Sequence, residues 1–107
     1  MLTIIELQGA YREYNKKYFK GKLPKVIIKY KKLNDNVAGR TFFGYGEDWP
    51  AQEIHLSKRL SYYEKCTVQT LLHEMIHISI GGKYKHGSRF KKELKRLIKA
   101  GAFYWLL

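Results

Sequence analysis

Residues 61–82 read SYYEKCTVQTLLHEMIHISIGG, and this run predicts one helix of roughly 62–80. Ser61 and Glu64 have the spacing of a capping box, in which each side chain accepts a hydrogen bond from a backbone amide near the helix start. Gly81-Gly82 then predicts the end of the helix, because glycine readily adopts the backbone conformations that terminate helices. The most specific chemical motif of the chain lies within this helix.

That motif is His73-Glu74-Met75-Ile76-His77, an H-E-x-x-H pattern. A helix turns about 100° per residue, so placing His73 at 0° puts His77 at about 40° and Glu74 at about 100°. The apolar residues of the same helix fall between about 160° and 260°; they are Val68, Leu71, Leu72 and Met75. Both imidazoles therefore project together, away from the expected core, where they can bind one metal ion. The alternative is two surface histidines on a buried helix.

A catalytic zinc site has three protein ligands and an open fourth position. The remaining histidines are His55 and His86. We prefer His86 as the third ligand, because Gly81-Gly82 ends the helix and eight residues separate His77 from His86, enough for the chain to return. His55 lies between two apolar residues of a predicted strand, which favours a structural role or a place in the wall of a cleft. The alternative for His86 is an ordinary loop histidine.

The expected chemistry is hydrolysis, with Zn2+ on His73, His77 and His86 and with Glu74 as the catalytic residue. Zinc polarises a carbonyl and lowers the pKa of its water toward about 7. Glu74 would accept the proton of that water and pass it to the leaving amine. The anionic intermediate needs one more positive or hydrogen-bonding group. The sequence leaves five candidates for this group open: Arg40, His55, Tyr62, Tyr63 and Tyr84.

Cys66 is the only cysteine of the chain. It shares the helix face of the histidines, but it precedes His73 by seven residues, about 10.5 Å along the axis, which is too far for a shared zinc. We expect a buried or half-buried side chain that acts neither as ligand nor as nucleophile. A single cysteine cannot form an internal disulfide, which favours a reducing, cytoplasmic location.

Apolar periodicity and turn residues predict the other elements. They are helices at 3–20 and 88–100 and strands at 25–31, 38–45 and 52–57. Thr3 and Glu6 form a capping-box pattern at the start of the first helix, and Gly21 ends it. The order of one helix, three strands and two helices indicates an α+β domain. A length of 107 residues favours a single domain, 1–107.

The charge is unevenly distributed. The chain carries 21 basic and 9 acidic side chains, a formal net charge of +12, with +7 in residues 1–32 and +7 in residues 83–107. Such ends favour polyanions, so we expect DNA contact through 1–32 and 83–99. The alternative is a lysine-rich surface that serves solubility. Several tyrosines are interleaved with the first basic segment and either stack on bases or face the core, as their spacing favours; they are Tyr11, Tyr14, Tyr18 and Tyr30.

No apolar run approaches the roughly 20 residues that span a bilayer, and the first residues lack a basic region followed by an apolar one. We therefore expect neither a membrane partner nor a secretory signal. The apolar end, 102–107, is expected to fold back onto the body of a monomer; left exposed, it would be an association patch.

Two runs, VQTLLHEMIH at 68–77 and HGSRF at 86–90, together resemble the SprT-like (Spartan-like) metallopeptidase family. The likeness covers most of residues 10–95 and includes further short segments. These segments are Tyr18-Phe19, Gly21-x-Leu23-Pro24, Ala38-Gly39 and Ile54-x-Leu56-Ser57. H-E-x-x-H alone is shared by many zinc hydrolases, whereas its combination with the other segments is much more specific.

The resemblance implies a compact zincin-like domain that binds zinc through His73, His77 and His86 and uses Glu74 as base. It implies a protein or peptide substrate that lies along an edge strand, for which 52–57 is the candidate. It also implies proteolysis that is often DNA-dependent, as in the cleavage of DNA–protein crosslinks. The expected function is therefore a zinc-dependent endopeptidase.

Two other function classes stay open. One is a small basic nucleic-acid-binding module with a structural zinc, although structural sites usually have four ligands, mostly cysteines. The other is a metal hydrolase with a substrate other than peptide, for which the sequence contains no signal.

Overall fold

The computed structural model describes residues 1–44, 51–82 and 86–103. Its elements follow one another in the predicted order: helix α1 (Ile4–Tyr18), strands β1 (Ile27–Lys31), β2 (Gly39–Phe42) and β3 (Glu53–Ser57), a 3-10 turn (Lys58–Leu60), helix α2 (Glu64–Ile80) and helix α3 (Ser88–Ala100). The prediction of an α+β fold with a small three-stranded sheet is confirmed.

Helix α1 begins as its sequence predicts. The Thr3 hydroxyl accepts from the Glu6 amide at 3.1 Å, and the Glu6 carboxylate accepts from the Thr3 amide at 3.0 Å, which completes the capping box. The helix ends two residues earlier than predicted, because Lys20 and Gly21 both adopt positive φ, at 56° and 71°. Its tyrosines face inward, as their spacing favoured.

Tyr11 and Tyr18 are buried, and Tyr14 and Tyr30 pack partly buried against the core. The Tyr11 hydroxyl donates to the Pro24 carbonyl at 2.5 Å, and burial raises the pKa of Tyr11 to about 12. The hypothesis that these rings stack on bases is therefore wrong for Tyr11 and Tyr18, because both rings contribute to the core.

The sheet has the strand order β1-β3-β2, with β3 parallel to β1 and antiparallel to β2. Strand β3 is therefore central, and its backbone pairs on both sides. The sequence-based choice of 52–57 as a substrate-binding edge strand is wrong for this reason. The edge strand beside α2 is β2.

Helix α2 begins later than its sequence predicts. Tyr63 is the N-cap and makes no side-chain capping bond, so the predicted Ser61–Glu64 capping box is absent from the described helix start. The Ser61 hydroxyl instead donates to the Lys58 carbonyl, at 2.6 Å. The Thr67 hydroxyl lies within hydrogen-bonding distance of two backbone carbonyls before the helix, those of Leu60 and Tyr63, at 2.8 and 3.0 Å. Gly81 ends the helix at φ 90°, as predicted.

The core lies between α2, one face of the sheet, and the helices α1 and α3. Its central residues on α2 are fully buried: Leu71, Leu72, Met75 and Ile76. Phe90 and Leu97 of α3 pack against this core. Ala102 is buried and Phe103 packs partly buried against the core, in agreement with the prediction that the apolar end folds back onto the body. Residues 104–107 of that end lie outside the described part of the chain. Within the described residues, no helix is both long enough and apolar enough to cross a membrane.

Candidate metal centre

Three histidine side chains converge at the surface of α2. The Nε2 atoms of His73 and His77 are 3.2 Å apart, and each lies 3.0 to 3.1 Å from the Nε2 of His86. His73 and His77 are one helical turn apart, while His86 arrives from the loop before α3. We call these three residues the histidine cluster. Three ring nitrogens that face one point repel one another unless a cation or a proton lies between them.

The donor set fits a zinc ion. Tetrahedral zinc with bonds of about 2.0–2.1 Å to nitrogen places its ligand atoms about 3.3–3.4 Å apart, close to the separations in the histidine cluster. The three residues are the metal-competent group found among the described residues. Burial lowers the pKa of His73, and the neighbouring His86 lowers it further, which favours the neutral imidazole that binds metals.

Phe90 supports all three rings. Its ring centroid lies 4.8 Å from those of His73 and His77 and 4.9 Å from that of His86. The phenyl ring is 5% exposed, so it closes the inner side of the histidine cluster against water. Because Phe90 sits in the first turn of α3, the same helix start orients His86 and covers the cluster from below.

Glu74 lies beside the cluster and is not one of the three converging residues. Its carboxylate is buried, and Oε1 accepts a hydrogen bond of 2.9 Å from the Thr41 hydroxyl on β2. Burial raises the pKa of Glu74 to about 7, although the Thr41 bond acts in the opposite direction. A carboxylate with a pKa near neutrality can both accept and release a proton at physiological pH.

The model of one protein family matches residues 7–103, nearly the whole chain, and its description is the SprT-like family. The chain belongs to the SprT-like family. This family is associated with zinc metallopeptidase-type domains. The match confirms the resemblance to this family that the sequence motifs indicated. No curated protein matches the chain.

In this SprT-like chain the histidine cluster opens into two clefts along β2. A cleft of about 600 Å³ extends from His73 toward the N-terminal half of α2 and reaches Leu60 and Cys66. A cleft of about 290 Å³ lies on the other side, bounded by Thr41 and Phe43. His73, Glu74, His86 and Gly39 line both clefts. The cluster is therefore open to an extended molecule that approaches along β2.

His55 is absent from the histidine cluster and has a structural role in the sheet. Its Nδ1 accepts from Arg40 Nε at 3.1 Å, and its Nε2 donates to the Glu53 carboxylate at 2.9 Å. Lys29 pairs with the same carboxylate at 3.2 Å, so the contacts cross all three strands. These side chains belong to the face of the sheet opposite the one that carries Thr41.

The other sequence candidates are dispersed. Tyr62 and Tyr63 are strongly exposed near the start of α2, about 15 Å along the axis from His73. Tyr84 lies outside the described residues. Cys66 is exposed, which makes the expectation of a buried or half-buried side chain wrong: its helix face borders the larger cleft instead of the core.

Sequence reasoning missed Thr41 and Gly39. A Cβ atom at Gly39 would lie 2.7 Å from Thr70 Cγ2, so the glycine permits the close approach of β2 to α2 beside Glu74. The pairing Ala38-Gly39 belongs to the resemblance, which was the available signal. Thr41 carried none, because its contact depends on how the edge strand aligns with a helix more than 30 residues away.

Proposed function

We propose that this SprT-like protein is a zinc-dependent endopeptidase. The observation that carries the proposal is the combination of three converging imidazole nitrogens with a buried carboxylate, Glu74, along the smaller cleft, the one bounded by Thr41 and Phe43. Three protein ligands leave room for a reacting group, as in catalytic zinc sites. A structural zinc usually has four protein ligands, mostly cysteines, so the alternative of a closed binding module is less well supported.

His73, His77 and His86 would hold the metal, and a zinc ion supplies a Lewis acid that polarises the scissile carbonyl. Glu74 accepts the proton of the attacking water. We assign this transfer to Oε2, since Oε1 accepts from Thr41. The same carboxyl group then donates the proton to the departing amine nitrogen. Phe90 keeps bulk water away from the inner side of the site.

The substrate would add as an extended strand to the free edge of β2. The carbonyls of Ala38 and Phe42 accept bonds from the β3 side, from Ser57 and Gln52. Because the direction of backbone groups alternates along a strand, the amides and carbonyls of Gly39 and Thr41 point toward the open edge. An extended peptide bonded there passes directly over Glu74 and the histidine cluster.

Zinc content measured beside peptide cleavage tests the proposal. We expect one zinc per chain in both the wild type and Glu74→Gln, and a loss of cleavage of at least a thousandfold in the variant. Glu64→Gln is the matched control, because Glu64 lies on the same helix but is exposed and pairs with the N-terminal amine. Equal activity in Glu74→Gln and wild type would contradict the role of Glu74. Zinc without cleavage by the wild type would favour the nucleic-acid-binding module.

A DNA association is the second part of the proposal, and the outer face of α3 favours it. Four exposed lysines occupy an arc of about 100° opposite Phe90 and Leu97; they are Lys91, Lys92, Lys95 and Lys99. None of the four has an ion-pair partner among the described residues, whereas Glu93, the acidic residue of the helix, pairs with Arg96. From Lys91 to Lys99 the row extends about 12 Å, enough for more than one backbone phosphate.

Fluorescence anisotropy with a labelled single-stranded oligonucleotide tests this association. We expect Lys91→Glu/Lys95→Glu to weaken binding at least tenfold more than Arg12→Glu/Lys16→Glu, which changes the net charge equally on α1. Equal losses would mean that α3 is not the preferred contact, and that the binding is shared with the basic segment 1–32 or due to the overall charge. Affinity that does not fall between 50 and 200 mM salt would contradict contact with the phosphate backbone.

We also propose a cytoplasmic location. The single cysteine supports it, because an exposed thiol is best preserved in a reducing compartment.

A further inference from the structure

We propose that Thr41 is the positioning residue of Glu74 and that it links the placement of this base to the strand on which a peptide would bind. The inference rests on the proposed peptidase function and adds a residue to it. Thr41 offers two groups for this role: the hydroxyl of its side chain, and the backbone amide and carbonyl at the free edge of β2.

The first contact is made by the side chain. The Thr41 hydroxyl donates to Glu74 Oε1 at 2.9 Å, and both residues lie in the contact between β2 and α2. A carboxylate that is only 4% exposed has little help from solvent, so this one bond fixes which oxygen is held and which faces the cleft. Gly39 keeps the two elements close enough for the bond, since any Cβ there would contact Thr70.

The second contact would be made by the backbone. Thr41 pairs in register with Ile54 of β3, but its amide and carbonyl belong to the set that points toward the free edge. A peptide that adds to this edge therefore bonds to the same residue whose hydroxyl holds Glu74. A peptide bonded to this edge would hold β2 in place, and with it the hydroxyl that positions the proton acceptor during the reaction.

Two substitutions separate this role from mere structural support. Thr41→Val keeps the shape of the side chain but removes the hydroxyl, whereas Thr41→Ser keeps the hydroxyl. We expect Thr41→Val to lower kcat by 10-fold to 100-fold with KM within about twofold and with full zinc content. Thr41→Ser should recover kcat to within about threefold of the wild type.

Thr67→Val is the matched control. Thr67 lies on α2, is buried, and uses its hydroxyl only on the carbonyls of Leu60 and Tyr63. Its loss should lower the melting temperature and leave kcat unchanged. The proposal is overturned if Thr41→Val retains kcat, or if Thr41→Ser loses as much activity as Thr41→Val.

A double-mutant cycle in the metal-free protein gives a readout that does not need activity. The shifts in melting temperature caused by Thr41→Val and Glu74→Gln should be non-additive, whereas those of Thr67→Val and Glu74→Gln should add. Absence of cleavage by wild type with a coupled Thr41–Glu74 pair would refute the peptidase function but retain the contact. Additive shifts for Thr41 and Glu74 would refute the positioning role itself.

Discussion

Gly39 shows how strongly one residue can constrain this site. Its missing side chain leaves room for the Thr70 methyl group, at 2.7 Å from where a Cβ would lie, and for the His55 carbonyl, at 3.1 Å. The residue is needed for the space it leaves, since a Cβ at this position would also lie 3.5 Å from Glu74 Cγ. Any larger residue must separate β2 from α2.

Gly39→Ala should therefore destabilise the protein by about 1–3 kcal/mol, the usual cost of forcing an extra methyl group into a packed contact. Thr70→Ser removes the methyl group that is approached most closely. We expect the double variant Gly39→Ala/Thr70→Ser to recover part of the loss, as measured by urea denaturation. A double variant as unstable as the sum of the two single changes would show that the backbone carbonyl of His55 is the real obstacle.

The residues of the histidine cluster were the most predictable part of the site. H-E-x-x-H fixes two rings on one helix face by helical geometry alone, and the short return to His86 limits where the third ring can be. Thr41 was not predictable, because no local pattern records which strand residue will face a carboxylate on a distant helix. Cys66 was misjudged for a related reason: the helix face it shares with the histidines borders a cleft, which periodicity cannot distinguish from a core.

At the scale of elements, the two helix starts differ in how their sequence relates to their structure. The capping box of α1 forms between Thr3 and Glu6, while the same pattern at Ser61 and Glu64 does not form. The 3-10 turn before α2 already engages Ser61 with the Lys58 carbonyl. Whether a capping-box sequence forms its hydrogen bonds therefore depends on the structure of the segment that precedes the helix.

The capping box of α1 makes part of the stability depend on pH. Thr3 lowers the pKa of Glu6, first through the backbone amide bond and then through the side chain. Because the folded pKa lies below the unfolded one, the contribution is present above the unfolded value of about 4.5 and is lost as the pH falls through the lower folded value.

Thr3→Ala should lower the free energy of unfolding by about 0.5–2 kcal/mol at pH 7. Glu6→Gln should make the stability fall less steeply between pH 5 and pH 3, as followed by thermal denaturation at several pH values. Identical acid dependence in Glu6→Gln and wild type would assign the effect to other carboxylates, among which Glu53 has its pKa lowered by His55 and Lys29.

The sheet illustrates what could not be predicted about the elements. The three strands were located from alternation and turn residues, but their order β1-β3-β2 was not. Strand order depends on which pairing buries Ile28, Ile54 and Leu56 beneath the helices, and this is a property of the whole core. Because the strand order was unknown, residues 52–57 were wrongly predicted to form a substrate-binding edge strand, whereas they form the central strand.

For the whole molecule, the histidine cluster connects two parts of the chain. Two rings come from α2 and the third precedes α3, which contacts the core through Phe90, Leu94 and Leu97. A metal ion held by all three would therefore add to the stability of the complete domain. Binding that is specific for the folded state stabilises it by about 4 kcal/mol when the free ligand is at a thousand times its Kd.

Removal of the metal by a chelator should lower the melting temperature by more than about 10 °C, given a shift of about 4–8 °C per kcal/mol in small domains. Hydrogen exchange in the first turn of α3 should accelerate more than exchange in the middle of α2. His86→Ala is the control, because its melting temperature should not respond to the chelator. A chelator response that persists in His86→Ala would place the metal elsewhere.

Strand β2, finally, is only four residues long, and just Gly39 and Thr41 turn their backbone groups outward. So short an edge recognises little more than the backbone of a few residues. In a folded protein such groups are already bonded to their own partners, so a well-folded chain has nothing to offer this edge. An enzyme built on this strand would therefore choose its targets by their local disorder rather than by their amino-acid sequence, and damaged or partly unfolded proteins would be degraded first.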